Sequence, residues 1–437
     1  MRNWEDLGFH VPKIILPAEE VDYSRWATVA CDQFTSQPEY WEEAERIAGE
    51  SPSALRLVLP EYYLGKPDEE DRIARVHRTM EEYLENGVLR ELPEGAVAVI
   101  RESCGHIRRG LVMALDLEAY DYSRDSKSLI RATEATIPER IPPRLKIRRG
   151  AAAEFPHILV LLDDPGKTVV EPLTDENGGA SFEKLYDAEL MLGGGHIRGY
   201  FVPAERLSGA KEAVEVLMEK AAEKYGKGKE LLIAMGDGNH SLATAKAYWE
   251  EIKRSLVPEK REGHPARYAL CEVENLHDPG IVMEPIHRLL FGEGRMTGQE
   301  MLDHIAEILN EQNGGCYLRP NGGDAAESGD FVFPYFTGKE SGEIVVTGPA
   351  KVLPVAVLQT AIDTFLADSG LKIDFIHGDA ALEKLASERN NLGFLLPAID
   401  KFRLFDSVAK DGPLPRKTFS MGEAEEKRYY IEGRKIR

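Results

Sequence analysis

Cysteine is scarce in this chain: Cys31, Cys104, Cys271 and Cys316 are the only four in 437 residues, and no two form a CxxC pair. Such spacing argues against a disulfide framework or a thiolate zinc site and for a reducing compartment. Long apolar runs are missing too, since no stretch nears the ~18 uninterrupted apolar residues of a membrane span. The opening MRNWEDLGFHVPK carries acids and no apolar core of the secretory-leader kind, so a cytoplasmic location is expected. Positive charge is in deficit: 54 Lys and Arg face 75 Asp and Glu, leaving −21. That balance repels nucleic-acid phosphates and anionic membranes, so neither is expected as a partner. The eleven histidines lack HExxH or other paired-ligand spacing. Zinc is therefore not expected, nor haem or flavin.

What the chain does have is an apolar strand, Leu231-Leu232-Ile233-Ala234-Met235, running into Gly236-Asp237-Gly238-Asn239-His240-Ser241. Apolar residues then recur at Leu242, Ala245, Trp249 and Ile252, marking the buried face of a helix. Gly236 and Gly238 permit a tight turn and let a ligand come close to the backbone. The first helical turn offers unpaired N–H groups and a partial positive charge, which suits an anion. An acid, an amide, an imidazole and a hydroxyl stand together at that mouth. The alternative is an ordinary capped helix, with Asp237 or Asn239 as N-cap.

Other constellations are less specific. Between Arg131 and Arg149 lie six basic residues, among them Arg131 and Arg140, against Glu134 and Glu139. Guanidinium clusters bind phosphate or carboxylate in a two-pronged way, and Glu134 is a candidate base or metal ligand. Gly193-Gly194-Gly195-His196 is either an anion-holding concavity or, with no helix after it, a hairpin turn. At Cys31-Asp32, Asp32 is the better candidate acid; Cys31 has no nameable partner base and fits a structural role. His287 and Arg288 end a strand and are candidates for positioning a substrate and pairing an anion. Gly166-Lys167-Thr168 lacks the first glycine of a phosphate loop and the helix after it, and is rejected.

Length implies two or three domains, read here as 1–128, 129–292 and 293–437. Helices are expected at 38–47, 68–84, 211–225, 355–366 and 380–387. Strands are expected at 96–100 and 111–117, a hairpin, and at 157–162, 268–273, 281–283, 371–376 and 392–396. Residues 314–329, rich in Gly, Asp and Asn, read as a surface loop. Hairpins mixed with strand–helix units give an α+β fold with a mixed sheet core.

At GDGNHSLATA the chain resembles the family called domain of unknown function 1015, whose turn is of the ADGHHR type. Asn239 and Ser241 replace its first histidine and its arginine. RATEAT (with Thr133 where the family often has His), the DPG…PIHRLL segment and PLPRKT near the end match further landmarks. The family's turn is in turn similar to the phosphate-binding turn of the ParB/sulfiredoxin-like fold, which includes kinases of free serine. The resemblance implies phosphoryl transfer to or from serine, as a kinase or phosphoserine phosphatase. In that reading the Gly236 and Gly238 turn, with Asn239 and Ser241, holds phosphate and His240 contacts the transferred group. Asp237 binds Mg²⁺ or orients the hydroxyl, Glu134 or Asp32 is the base, and Arg131, Arg140, His196, His287 and Arg288 serve the anion. Two alternatives remain open: a ParB-like nucleotide-binding regulator, and a metal-dependent hydrolase on Asp237, His240 and His196. The expected partner is a small anionic or amino-acid substrate; a nucleotide is an optional cofactor. Oligomeric state is not legible.

Overall fold

The computed structural model describes residues 2–437 apart from 36, 176–180, 324–326, 339 and 389. The chain divides into two compact units: Met1–Val282 with Met421–Arg437, and Met283–Ser420. The expected boundary at 128/129 instead falls inside one sheet. Strands on either side of it pair, because sheet order here does not follow chain order.

Unit 1 holds β1 (Phe9–His10), β2 (Lys13–Pro17), β3 (Leu89–Ser103), β4 (His106–Asp116), β5 (Tyr120–Asp121) and β6 (Ile130–Arg131). It continues with β7 (Ala153–Glu154), β8 (Leu159–Leu162), β9 (Glu183–Leu190), β10 (Gly195–Pro203), β11 (Ile233–Asp237) and β12 (Tyr268–Asn275). Its helices are α1 (Tyr23–Trp26), α2 (Pro38–Ala48), α3 (Glu69–Glu85), α4 (Ile141–Arg149), α5 (Glu171–Thr174), α6 (Ser208–Tyr225) and α7 (Asn239–Ser255). The main sheet runs β5-β6-β11-β8-β12-β4-β3-β10-β9, with β1 on β4 and β2 on β3. This mixed sheet, flanked by helices, is the α+β architecture that the pattern of hairpins and strand–helix units predicts.

Local sequence explains the elements around the site. Leu-Val-Leu-Leu of β8 is buried throughout, as a strand covered on both faces must be. In α7, Leu242, Ala245 and Trp249 are fully buried, and Ile252 packs at the core margin. β6 runs parallel to β11, Ile130 facing Ile233, while β8 runs antiparallel to it. The β11–β8 register slips between Met235 and Asp237, so that Asp237 lies opposite Leu159. The carboxyl ends of β6 and β11 and the amino end of β8 therefore converge at one edge. The basic stretch after β6 forms a 3₁₀ turn (Pro138–Arg140) and α4, not paired strands.

The last residues of unit 1 return into its interior. Lys427, Arg428, Tyr429, Tyr430, Ile431 and Glu432 are all buried. Arg428 pairs with Glu272 at 3.1 Å and Glu432 at 2.7 Å, and Arg434 with Glu154 at 2.9 Å. Ions taken out of water are tolerated only with such close partners. These pairs fix the register of the tail.

Unit 2 has its own antiparallel sheet in the order Gly315–Arg319, Glu340–Thr347, Phe331–Thr337, Asn391–Phe394, His287–Phe291, Lys372–Ile376. Helix Gly298–Gln312 starts with a capping box between Thr297 and Glu300, and Pro354–Ser369 carries proline at its first position. The expected loop at 314–329 thus begins with a strand. It is an edge strand whose Tyr317 and Leu318 stay exposed, so its composition reads like that of a loop.

Candidate functional site

The β11–α7 turn is built around glycine for two distinct reasons. Gly238, at φ 77° and ψ 28°, is the N-cap of α7 in the left-handed region. A Cβ there would also sit 3.1 Å from the Ile158 Cα. At Gly236 a Cβ would lie 2.6 Å from the Met421 Sδ. Neither Asp237 nor Asn239 caps the helix, as the capped-helix alternative requires: no side chain does. Asp237 Oδ1 accepts from the Gly238 amide at 2.9 Å, and its other oxygen lies 3.3 Å from Lys427 Nζ. The first helical hydrogen bond is Leu242 N–H to the Gly238 carbonyl, 3.0 Å. The amides of Asn239, His240 and Ser241 thus meet no acceptor among the described residues. Three donors and a helix dipole remain directed at this opening.

Buried polar atoms without partners cluster on the same segments. They are Asn239 Oδ1 on α7 and Thr133 Oγ1 and Thr136 Oγ1 on the loop after β6. An orphaned buried oxygen costs about 1–3 kcal/mol, so each marks a place where a partner is missing. The Ile137 amide donates to His240 Nε2 at 3.3 Å and ties that loop to α7. Because Nε2 accepts, the hydrogen of the neutral ring is on Nδ1. Burial, then the cations of Arg140 and Arg144, pushes His240 down to about 4. It is a neutral donor at physiological pH.

A second cluster adjoins the first. His157 Nε2 lies 3.5 Å from Asp32 Oδ2, and its Nδ1 is 2.8 Å from the Tyr430 hydroxyl. That hydroxyl also accepts from the Cys31 amide at 2.9 Å. Burial alone raises a carboxyl, but the His157 cation overrides it and holds Asp32 well below the usual range. Burial likewise opposes charge on His157, and Asp32 overrides it upward. Glu61 is raised by burial despite an ion pair with Arg144. Cys31, Glu61, Arg144, His157, Ser241 and Tyr430 line a cavity of about 130 Å³. Ser241 joins it to the first turn of α7.

The residues singled out from the sequence divide into groups. Asp237, Gly236, Gly238, Asn239, His240 and Ser241 share the turn. Glu134, half-buried, stands on the adjoining loop, and Arg140 lies exposed at the start of α4 near His240. Asp32 is part of the second cluster. Arg131 is turned to other work: its guanidinium donates to the carbonyls of Ser128, Lys229 and Glu230. His196 pairs with Asp187 at 2.9 Å on the β9–β10 hairpin, which is the hairpin alternative for the triple glycine. His287 and Arg288 belong to unit 2. There His287 bonds Asp379 at 2.9 Å and the Leu396 amide at 3.1 Å, while Arg288 holds Gln359 and the Ile286 carbonyl.

The metal-hydrolase alternative needs Asp237, His240 and His196 together. Among the described residues no group of three or more His, Cys, Asp or Glu is placed to hold a metal ion. A Mg²⁺ held by one carboxylate, water and substrate phosphate needs no such cage. Sequence reasoning missed Lys427, Tyr430, His157 and Glu61 as site residues. No helix is long and apolar enough to cross a membrane among the described residues.

The fold is similar to that of a free serine kinase mutant in complex with AMP, at 11% identity over 74% of this chain and 92% of that chain, TM-score 0.39. It is similar also to a conserved hypothetical protein from Pyrococcus furiosus, at 11% identity over 73% and 90%, TM-score 0.35. A third likeness is to SbnI with C-terminal truncation from Staphylococcus aureus, at 8% identity over 71% and 81%, TM-score 0.36. No curated protein matches the sequence. Residues 15–395 match the family described as "Protein of unknown function (DUF1015)", and the chain belongs to that family.

Proposed function

We propose that unit 1 is a phosphoryl-transfer enzyme for a small hydroxy amino acid, serine or phosphoserine. The observation that carries this reading is the set of three unclaimed amides at the start of α7, beside three orphaned buried oxygens. A phosphate accepts from the amides, and Thr133 and Thr136 hydroxyls donate to it or to the substrate. Neutral His240 adds an Nδ1 donor, and Lys427 with Arg140 supplies charge. Asp237 orients the reacting hydroxyl or carries Mg²⁺ bridged to phosphate. Such transfer requires mainly positioning and neutralised charge, which this set supplies.

The two carboxylates of the second cluster take different parts. Asp32, held ionised, is a weak base but a good partner for the substrate's ammonium group. Glu61, raised by burial, is the stronger base of the two, and Glu134 remains the other candidate. The test is turnover: release of phosphate from phosphoserine, and formation of ADP from ATP with serine. Activity in one assay, with a thermal shift by that substrate, supports the reading. A shift with nucleotide alone and no turnover overturns it in favour of a regulator.

A further inference from the structure

Unit 1 has a second cavity, of about 450 Å³, lined by α2, α3 and the segment that joins them. That volume falls in the range of small-molecule sites. Much of the lining is apolar: Trp41 of α2, Leu55, Val58 and Leu59 of the joining segment, and Val76 of α3 are buried. The charged part is three guanidinium groups, Arg56, Arg72 and Arg75, against one carboxylate, Glu45. Glu45 pairs with Arg56, which also donates to the Gly49 carbonyl at 2.9 Å. Arg72 bonds Asp68 through Nε alone, at 2.7 Å, and lies 3.8 Å over the Tyr63 ring. Its Nη groups make no hydrogen bond among the described residues. Arg75 has neither a hydrogen bond nor an ion pair among them, although Asp71 stands one turn earlier on α3. Arg72 and Arg75, three positions apart, share a face of α3, where like charges repel. In a chain at −21, unclaimed guanidinium groups held side by side at an apolar cavity are the complement of an oxyanion.

We propose that this cavity is a second binding site, for a small organic anion with an apolar body. The body packs against Trp41, Leu55 and Val76, and a phosphate or carboxylate end is held by Arg72 and Arg75. Burying the body removes apolar surface from water, while the two guanidinium groups select for charge. Val58 and Leu59 line the cavity beside Ser241 as well, so the two cavities share a wall. Arg56, Arg72 and Arg75 line only this one, and the second site needs no part of the function proposed above.

The experiment titrates the intact protein with phenyl phosphate, benzoate, benzyl alcohol and inorganic phosphate, with affinity read by calorimetry and location by amide NMR. Phenyl phosphate or benzoate is expected to bind at least ~10-fold more tightly than benzyl alcohol, the scale of a charge-assisted hydrogen bond, and to move amides between Arg72 and Thr79. Whichever of the two binds better identifies the charged end. Arg75→Gln should weaken that binding by ~10-fold or more. The melting temperature should hold, because Arg75 is exposed and its removal relieves a like-charged pair. Thr79→Trp, which fills the cavity and leaves both guanidinium groups, should make phenyl phosphate bind no better than inorganic phosphate. Several results overturn the proposal: no binding of either aromatic anion, equal binding of benzyl alcohol, affinity indifferent to Arg75, or shifts confined to Asn239, His240 and Ser241. Silence of those three amides toward inorganic phosphate counts against the proposed function alone, since the second site is read on α3.

Discussion

Two turns of this molecule share glycine and histidine, and they end differently. At Gly193-Gly194-Gly195-His196 the chain closes the β9–β10 hairpin. A Cβ on Gly195 would lie 2.0 Å from the Glu102 carbonyl, and the Gly194 carbonyl accepts from Arg101. His196 pairs with a surface aspartate. At Gly236-Asp237-Gly238-Asn239-His240 a helix follows, and its first amides keep no partner among the described residues. His240 is held neutral between a backbone amide and two arginines. Glycine-rich composition alone therefore does not make an anion site. The helix behind the turn supplies the donors, whereas in the hairpin close packing explains Gly194 and Gly195 and a left-handed backbone, φ 81°, explains Gly193.

Four measurements sharpen or break that comparison. Asp237→Asn and His240→Ala should each lower phosphoserine or serine turnover by ~10²-fold or more, the scale of a lost charge-stabilising group. Melting temperature should change little, and a joint loss of fold and activity would return the turn to a purely structural role. Gly238→Ala forces a Cβ into the left-handed region and should cost on the order of 1–3 kcal/mol in denaturant titrations, with loss of phosphate binding. Gly194→Ala, whose Cβ would meet Tyr429 at 2.4 Å, should also destabilise, while any folded fraction keeps its affinity for phosphate.

The third measurement is pH dependence. His240 lies at about 4 in the folded chain against an ordinary 6.5. Between those values the unfolded chain binds a proton that the folded one does not. Stability contributed by neutral His240 is thus present above about 6.5 and lost as pH falls toward 4, on the order of 3 kcal/mol before solvent screening of this part-exposed ring reduces it. His240→Ala should flatten that slope in urea titrations at pH 4.5 and 7. The smallest effect belongs to the hairpin: His196→Ala should change stability by less than ~0.5 kcal/mol, because a solvated pair contributes little, and leave turnover unaltered.

Much of the site's frame was legible because it is local. Leu242, Ala245 and Trp249 announce α7 by spacing alone, and His157 to Leu162 reads as a buried strand, of which Leu159–Leu162 forms β8. The N-cap was not legible, since a left-handed Gly238 and a side-chain cap from Asp237 leave similar sequences. The roles of Arg131 and Arg288 depend on carbonyls and an amide far along the chain, such as Lys229 and Gln359. Lys427 and Tyr430 were invisible for the same reason. Their placement follows from Arg428 meeting Glu272, 156 residues away. A terminal run dense in charge looks solvated until those partners are known. Asp32 and His157, 125 positions apart by number, meet only through the same folding.

The central claim is tested most directly by amide NMR during titration with inorganic phosphate and then phosphoserine. The amides of Asn239, His240 and Ser241 should move saturably and together, while those of Gly193, Gly194 and Gly195 stay fixed. Unmoved α7 amides, or equal movement at both turns, would contradict the account.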